Sequence, residues 1–276
     1  MPALRLFHPT FIAPPGFSPP TSQLAYFVPL EIDPKSARAL MTVIGFPADA
    51  KIVEGAERWT AIEGNRAFAM QRRFGGDWSL HLVDPLCFSA VVCAAGAKAP
   101  VDPVAPDKNL ATATLNRLAA ASGVTLATDS VVVSDGGQGL ATARAGMLIG
   151  AQQVEGVEFT VTVDREGHAL FAGGELGPFD AVEERVPLIP LEAALAALTS
   201  TGLVGDATAA LGSEVTLSSG SVVLSREPGR AWRAGKGRAL DIVPRYVFKA
   251  ADGRTFSVLA IDASPVATGG PAATPT

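Results

Sequence analysis

The chain has 276 residues, 48% hydrophobic and 18% charged, with a net charge of −5, a composition that describes a folded globular protein and excludes a disordered one. Lys and Arg are scattered without a basic stripe, so the electrostatic footprint of a nucleic-acid partner is missing. No apolar run reaches the roughly 18 residues of a membrane-spanning helix, and no charged region followed by an apolar core marks a signal peptide.

Residues 1–24 carry Pro2, Pro9, Pro14, Pro15, Pro19 and Pro20 among small and apolar residues. They read as an extended arm or linker, of the kind that can follow a membrane anchor. The first predicted helix opens at Asp33-Pro34, an N-cap followed by proline at the first helical position. Ala37, Leu40, Met41 and Ile44 then form one apolar stripe, and Gly45 supplies the stop. Strands are predicted at 59–62, 68–72 and 78–83, with turn chemistry at Glu63-Gly64-Asn65 and Gly75-Gly76-Asp77. Residues 25–93 thus make a first module.

Residues 94–106, rich in Ala and Pro, read as a linker. The second predicted helix is capped by Asp107, buries Leu115, Leu118 and Ala119, and stops at Gly123. Strands at 131–133 and 159–163 follow, and Asp164-Arg165-Glu166-Gly167 turns the chain into a strand at 168–173. The stretch 140–152 fits a strand or an Ala-rich helix; Gly146 and Gly150 favour the strand. Residues 107–187 form the second module.

The third predicted helix starts at Pro190, carries Leu191, Ala194, Leu195 and Leu198 on one face and stops at Gly202. Strands at 221–225, 240–249 and 255–261 follow, the last two joined at Ala251-Asp252-Gly253, which completes a third module over 188–262. Residues 263–276 read as a disordered tail. The three helix stops at Gly45, Gly123 and Gly202 are 78 and 79 residues apart, a near-constant period that marks a repeated unit. The expected fold is therefore α+β, with tandem modules of one helix packed on antiparallel strands.

Chemistry is sparse. Cys87 and Cys93 are the only cysteines, and their spacing is read as a disulfide, ahead of two free buried thiols and of a redox or metal role. His81 and Asp84 lie close to Cys87, but the chain offers no further thiol and no second nearby histidine at the short paired spacings of structural zinc, so no metal is expected. His8, His81 and His168 each stand alone, and the hydrolase and metalloprotease signatures are absent. Gly136-Gly137-Gln138-Gly139 follows the apolar run 131–133 and is the strongest cofactor candidate, as a glycine loop that could cradle a pyrophosphate. Thr142 stands where the fingerprint needs Gly or Ala, so an ordinary hairpin loop is the better reading and no cofactor is expected. Glu54 with Glu57, and Glu183 with Glu184, read as solvated surface, while Trp59, Phe68, Trp78, Tyr246, Phe248 and Phe256 read as core.

The C-terminal pattern Leu240-Asp241-Ile242-Val243-Pro244-Arg245-Tyr246-Val247-Phe248, the turn Ala251-Asp252-Gly253-Arg254 and the run from Phe256 to Asp262 form one motif. With Ile44-Gly45, Trp59, the cysteine pair and Pro187-Leu188-Ile189-Pro190-Leu191-Glu192-Ala193, it resembles a group of membrane-anchored extracytoplasmic proteins from actinobacteria. The resemblance implies an ectodomain tethered through an N-terminal membrane helix, with an oxidised cysteine pair and no established activity. It supplies no catalytic residues.

Together these readings point to a non-catalytic extracytoplasmic module that binds another protein or an envelope component. One alternative is a sensory or regulatory ectodomain. A second is an enzyme, in the cytoplasm if the thiols are free, with a site between modules around Gly136–Gly139 and His168 or a nucleotide cofactor near Gly136–Gly139.

Overall fold

The computed structural model describes residues 4–73, 75–83, 107–137, 139–177, 184–201, 203–206, 214–227, 234–235 and 237–262. In chain order these contain β1 (Leu4–Phe7), β2 (Thr10–Ile12), β3 (Ser22–Pro29), α1 (Pro34–Val43), β4 (Val53–Glu54), β5 (Arg58–Glu63), β6 (Arg66–Gln71) and β7 (Trp78–Leu82). Next come α2 (Lys108–Ser122), β8 (Thr125–Leu126), β9 (Val132–Gly137), β10 (Leu140–Ile149), β11 (Gln152–Val163) and β12 (Ala169–Gly174). The last are β13 (Glu184–Pro187), α3 (Leu191–Thr201), β14 (Leu203–Asp206), β15 (Glu214–Arg226), β16 (Ala234–Gly235), β17 (Arg238–Ala250) and β18 (Thr255–Leu259).

Three modules in tandem are not what these elements build. The described residues are mostly β, and they divide into two compact units, Phe27–Ala181 with Ala234–Ala239, and Met1–Tyr26 with Val182–Arg233 and Leu240–Thr276. In the first unit, strands of the expected first and second modules share one antiparallel sheet in the order β4-β5-β6-β7-β12-β11-β10, with β9 and β8 one after the other along the far edge of β10. The joint is β7 against β12, where Leu80 faces Ala172. A lone three-strand meander would leave β7 an open edge and a helix too small a core to cover, and pairing with β12 removes both problems.

Both helices of this unit start as their sequences dictate. The Asp33 carboxylate accepts from Lys35 N–H at 2.9 Å, and Asp107 accepts from Asn109 N–H at 2.9 Å and Leu110 N–H at 3.2 Å. Gly123 closes α2 in the left-handed conformation. Alternation then sorts the sheet into two faces. Ala61, Phe68, Leu80, Ala172, Val161 and Ala143 are successive cross-strand partners, and all are buried. Helix α2 packs against β10, β11 and β12 and touches α1. Arg66, on the same face, donates to the carbonyls of Ile44 and Gly45 at 2.7 Å each, which ties the end of α1 to β6. The stretch 140–152 is strand, turn and strand, as its glycines favour: β10 ends at Ile149, Gly150 takes a φ of +59°, and β11 begins at Gln152.

The second unit contains the residues expected as a free arm. β1 pairs antiparallel with β14, and β2 pairs parallel with β15, inside a sheet ordered β13-β3-β17-β15 with β18 also along β17. Phe11 is buried and meets Phe256 edge to face at 5.0 Å, beside Leu198 and Ala194 of α3. Phe17 stands edge-on to Tyr246 at 6.3 Å and Phe248 at 5.9 Å. Gly220 makes room for it, since a Cβ there would lie 2.9 Å from the Phe17 ring. The prolines of the opening segment therefore punctuate packed chain. Aromatic burial outweighs the extended, solvated tendency of the composition.

Tyr246 is fully buried, and its hydroxyl donates to the Ile189 carbonyl at 2.9 Å. Burial raises its pKa above the ordinary value of 10.0. Its contribution to stability is then complete below pH 10.0 and is lost as pH rises through the folded-state value. Tyr246→Phe should lower stability by about 1 kcal/mol at neutral pH and flatten the alkaline limb. Urea unfolding at neutral and alkaline pH checks both effects.

Candidate functional site

The face of the first unit's sheet opposite α2 is built from the other half of each strand. Thr60, Ala69, Ser79, Gly173, Thr160, Arg144 and Val132 are successive cross-strand partners over seven strands, and every one is half-buried or exposed. In the neighbouring row, Thr162 faces Phe171 and Thr142, the two threonine hydroxyls lie 2.8 Å apart, and Ile62 faces Ala67 with two-thirds of its surface exposed. Small and hydroxyl side chains keep this face low. Toward β9 it opens into a groove of about 390 Å³ lined by Val132, Arg144, Gly146, Gln153, Glu155 and Glu158. Arg144 and Glu158 approach to 3.8 Å there, and the Gln153 side chain lies over Gly146, where any Cβ would displace it. The groove offers charges of both signs beside apolar Val132.

At one end of the same unit two turns meet. Gly136 and Gly137 belong to β9, and Gly139, with a φ of +80°, belongs to a tight turn into β10. The glycine run therefore lies between antiparallel strands, Leu140 facing Gly137 and Ala141 facing Asp135, and does not lead from strand to helix. The helix N-terminus that a dinucleotide loop requires is not built here. The Arg165 side chain lies against Gly139, where a Cβ would come within 2.5 Å of its Nε. The β11–β12 turn and the glycine turn are thus neighbours.

Asp164 organises the β11–β12 turn. One oxygen, Oδ1, accepts from the backbone N–H of Glu166 at 3.0 Å and of His168 at 2.8 Å, and the other, Oδ2, lies 3.0 Å from His168 Nδ1. Gly167 has a φ of +84° and sits against Leu110 of α2. Asp164, Glu166 and His168 bring three donor atoms within 4.8 Å of one another. The sequence reading recognised this turn but not the grouping. The grouping follows from the tight turn itself, closed by Gly167 N–H on the Asp164 carbonyl at 3.1 Å, which brings residues 164, 166 and 168 together.

The remaining candidates separate. Cys87, Cys93, Asp84, Glu183 and Gly202 lie outside the described residues, as do the linker 94–106 and the tail 263–276. His81 is exposed on β7, and His8 lies 2.9 Å from the Thr199 carbonyl. Glu54 pairs with Arg72 at 2.9 Å, and Glu57 is exposed nearby. Trp59, Phe68 and Trp78 are buried in one unit and Tyr246, Phe248 and Phe256 in the other, so these aromatics form cores and no sugar-stacking platform. No helix among the described residues is long and apolar enough to cross a membrane. Compared with protein-family models, curated proteins and solved structures, the chain matches none.

Proposed function

We propose that the protein is a non-catalytic binding module of the extracytoplasmic cell envelope, whose contact surface is the low face of the nine-strand sheet and the groove beside β9. The observation that carries the contact surface is the unbroken row from Thr60 to Val132, non-buried across seven strands while the alternate row is buried. A face of small side chains lets a partner's backbone or rings approach closely, and Ile62 and Val132 give apolar contact. The envelope assignment rests on the resemblance of the sequence motifs and on the cysteine pair.

Photo-crosslinking in the native host tests the reading, with a benzoyl-phenylalanine placed at Ser79, at Thr160 or, as a control, at Asn116 on the exposed side of α2. Adducts of one common mass should form from Ser79 and Thr160 and not from Asn116. Equal labelling from all three positions, or none from the sheet face, would overturn the contact surface. Turnover in a panel of hydrolase and oxidoreductase assays would overturn the non-catalytic part.

A further inference from the structure

We propose that the open edge of β9 takes an extended, basic segment of a partner protein as an added strand of the first unit's sheet, which rests on the low face serving as the contact surface. The two edges of this sheet are built differently. At one edge β4 is only two residues long, too short to template another strand, and its Glu54 is held by Arg72 at 2.9 Å. At the other edge β9 is six residues long, and among the described residues it pairs with β10 alone. Its register with β10 is regular from Val132 to Asp135, and the shift comes only beyond, at Leu140 and Ala141. No lysine, proline or bulge guards the stretch 132–135, whose sequence is Val-Val-Ser-Asp. Such an edge presents backbone N–H and C=O groups outward, the template on which strand addition works.

Charge decides the occupant. Val132 and Ser134 are the cross-strand partners of Arg144 and Thr142, so both lie on the low face, and Val132 is 47% exposed. An added strand would set every second side chain beside them, at the mouth of the groove. There Arg144 approaches Glu158 to 3.8 Å, whereas Glu155 on the groove wall and Asp129 in the short turn Thr128–Ser130 are exposed and in no ion pair among the described residues. The surplus is negative, and lysine or arginine side chains are long enough to lie over Val132 and bring their charge toward it. A second copy of the chain fits less well. Antiparallel pairing of β9 with itself about Val132 or Val133 would bring Asp135 of each strand toward Asp129 of the other, and like charges brought together across a strand pair destabilise it.

The probe is a short end-blocked peptide of alternating valine and lysine, with its valine–glutamate counterpart as control, added to the full chain and followed by amide hydrogen exchange. In the free chain the outward-facing amides of 132–135 should exchange fast, and the lysine peptide should slow them by about tenfold or more while the glutamate peptide leaves them unchanged. Asp129→Lys with Glu155→Lys should weaken binding of the lysine peptide by about threefold or more and favour the glutamate peptide. Both side chains are exposed, so the double variant keeps the fold, which far-ultraviolet circular dichroism verifies. Protection of all the 132–135 amides before peptide is added would overturn the proposal, because the edge would already be covered. So would equal protection by both peptides, protection by neither, or affinity unchanged in the double variant. The crosslinks from Ser79 and Thr160 judge the contact surface separately. Adducts in the host with no peptide on β9 leave the low face standing and overturn the strand addition, whereas protection of β9 without adducts retains the open edge and overturns the low face.

Discussion

Phe159→Ala is expected to lower the stability of the first unit by about 3–5 kcal/mol, the range for emptying a large buried aromatic site. Phe159 has no exposed surface and meets Trp78 edge to face, with ring centroids 6.3 Å apart and planes at 67°. The ring also lies against Gly174, where a Cβ would fall 2.5 Å from it. Trp78 and Gly174 face each other on the paired strands β7 and β12, so the space is bounded by sheet backbone, and close-packed interiors relax only partly when a side chain is removed. Gly174→Ala alone should also destabilise, by about 1–3 kcal/mol, because the ring cannot move aside. In the Phe159→Ala background that cost should largely vanish. Urea unfolding followed by tryptophan emission measures the four-member cycle, and strict additivity would show that the two positions do not share the space described.

Asp241→Ala is expected to cost the second unit about 3–5 kcal/mol. Asp241 Oδ2 lies 2.9 Å from Arg226 Nε, with side chains only 2% and 5% exposed. Removing the carboxylate takes an anion at 2.9 Å from a desolvated guanidinium. The nearby pair of Arg245 and Glu227 is longer, at 3.4 Å, and more exposed, so it contributes less. The effect at Asp241 should persist in high salt, because buried pairs are screened weakly. A double replacement, Arg226→Met with Asp241→Leu, should recover much of the loss. A loss below about 1 kcal/mol for Asp241→Ala would place the pair with surface ion pairs and refute its burial.

These two sites also mark where sequence reading stops. Phe159 and Trp78 lie in strands that their local patterns identify, yet nothing near either residue announces that β7 and β12 are neighbours. The near-constant spacing of Gly45, Gly123 and Gly202 suggested three separate modules. Helix caps are local chemistry, and a regular interval between them says nothing about which strands pair. The low sheet face was hidden for the same reason: Ser79 and Thr160 are ordinary strand residues until Gly173 is placed between them. The Asp164 turn was legible because its bonds span only a few residues, whereas the proximity of the Asp164, Glu166 and His168 side chains needed their positions.

Local sequence was sufficient for the helix starts at Asp33 and Asp107, the left-handed stop at Gly123 and the turns at Asp164 and Asp252, since each depends on contacts within one or two turns of chain. Long-range packing alone joined the first two expected modules into one sheet and drew Phe11 and Phe17 of the opening segment onto the C-terminal strands. Those choices satisfy sheet edges and bury aromatic rings, and both depend on partners scores of residues away, whose identity no local pattern carries.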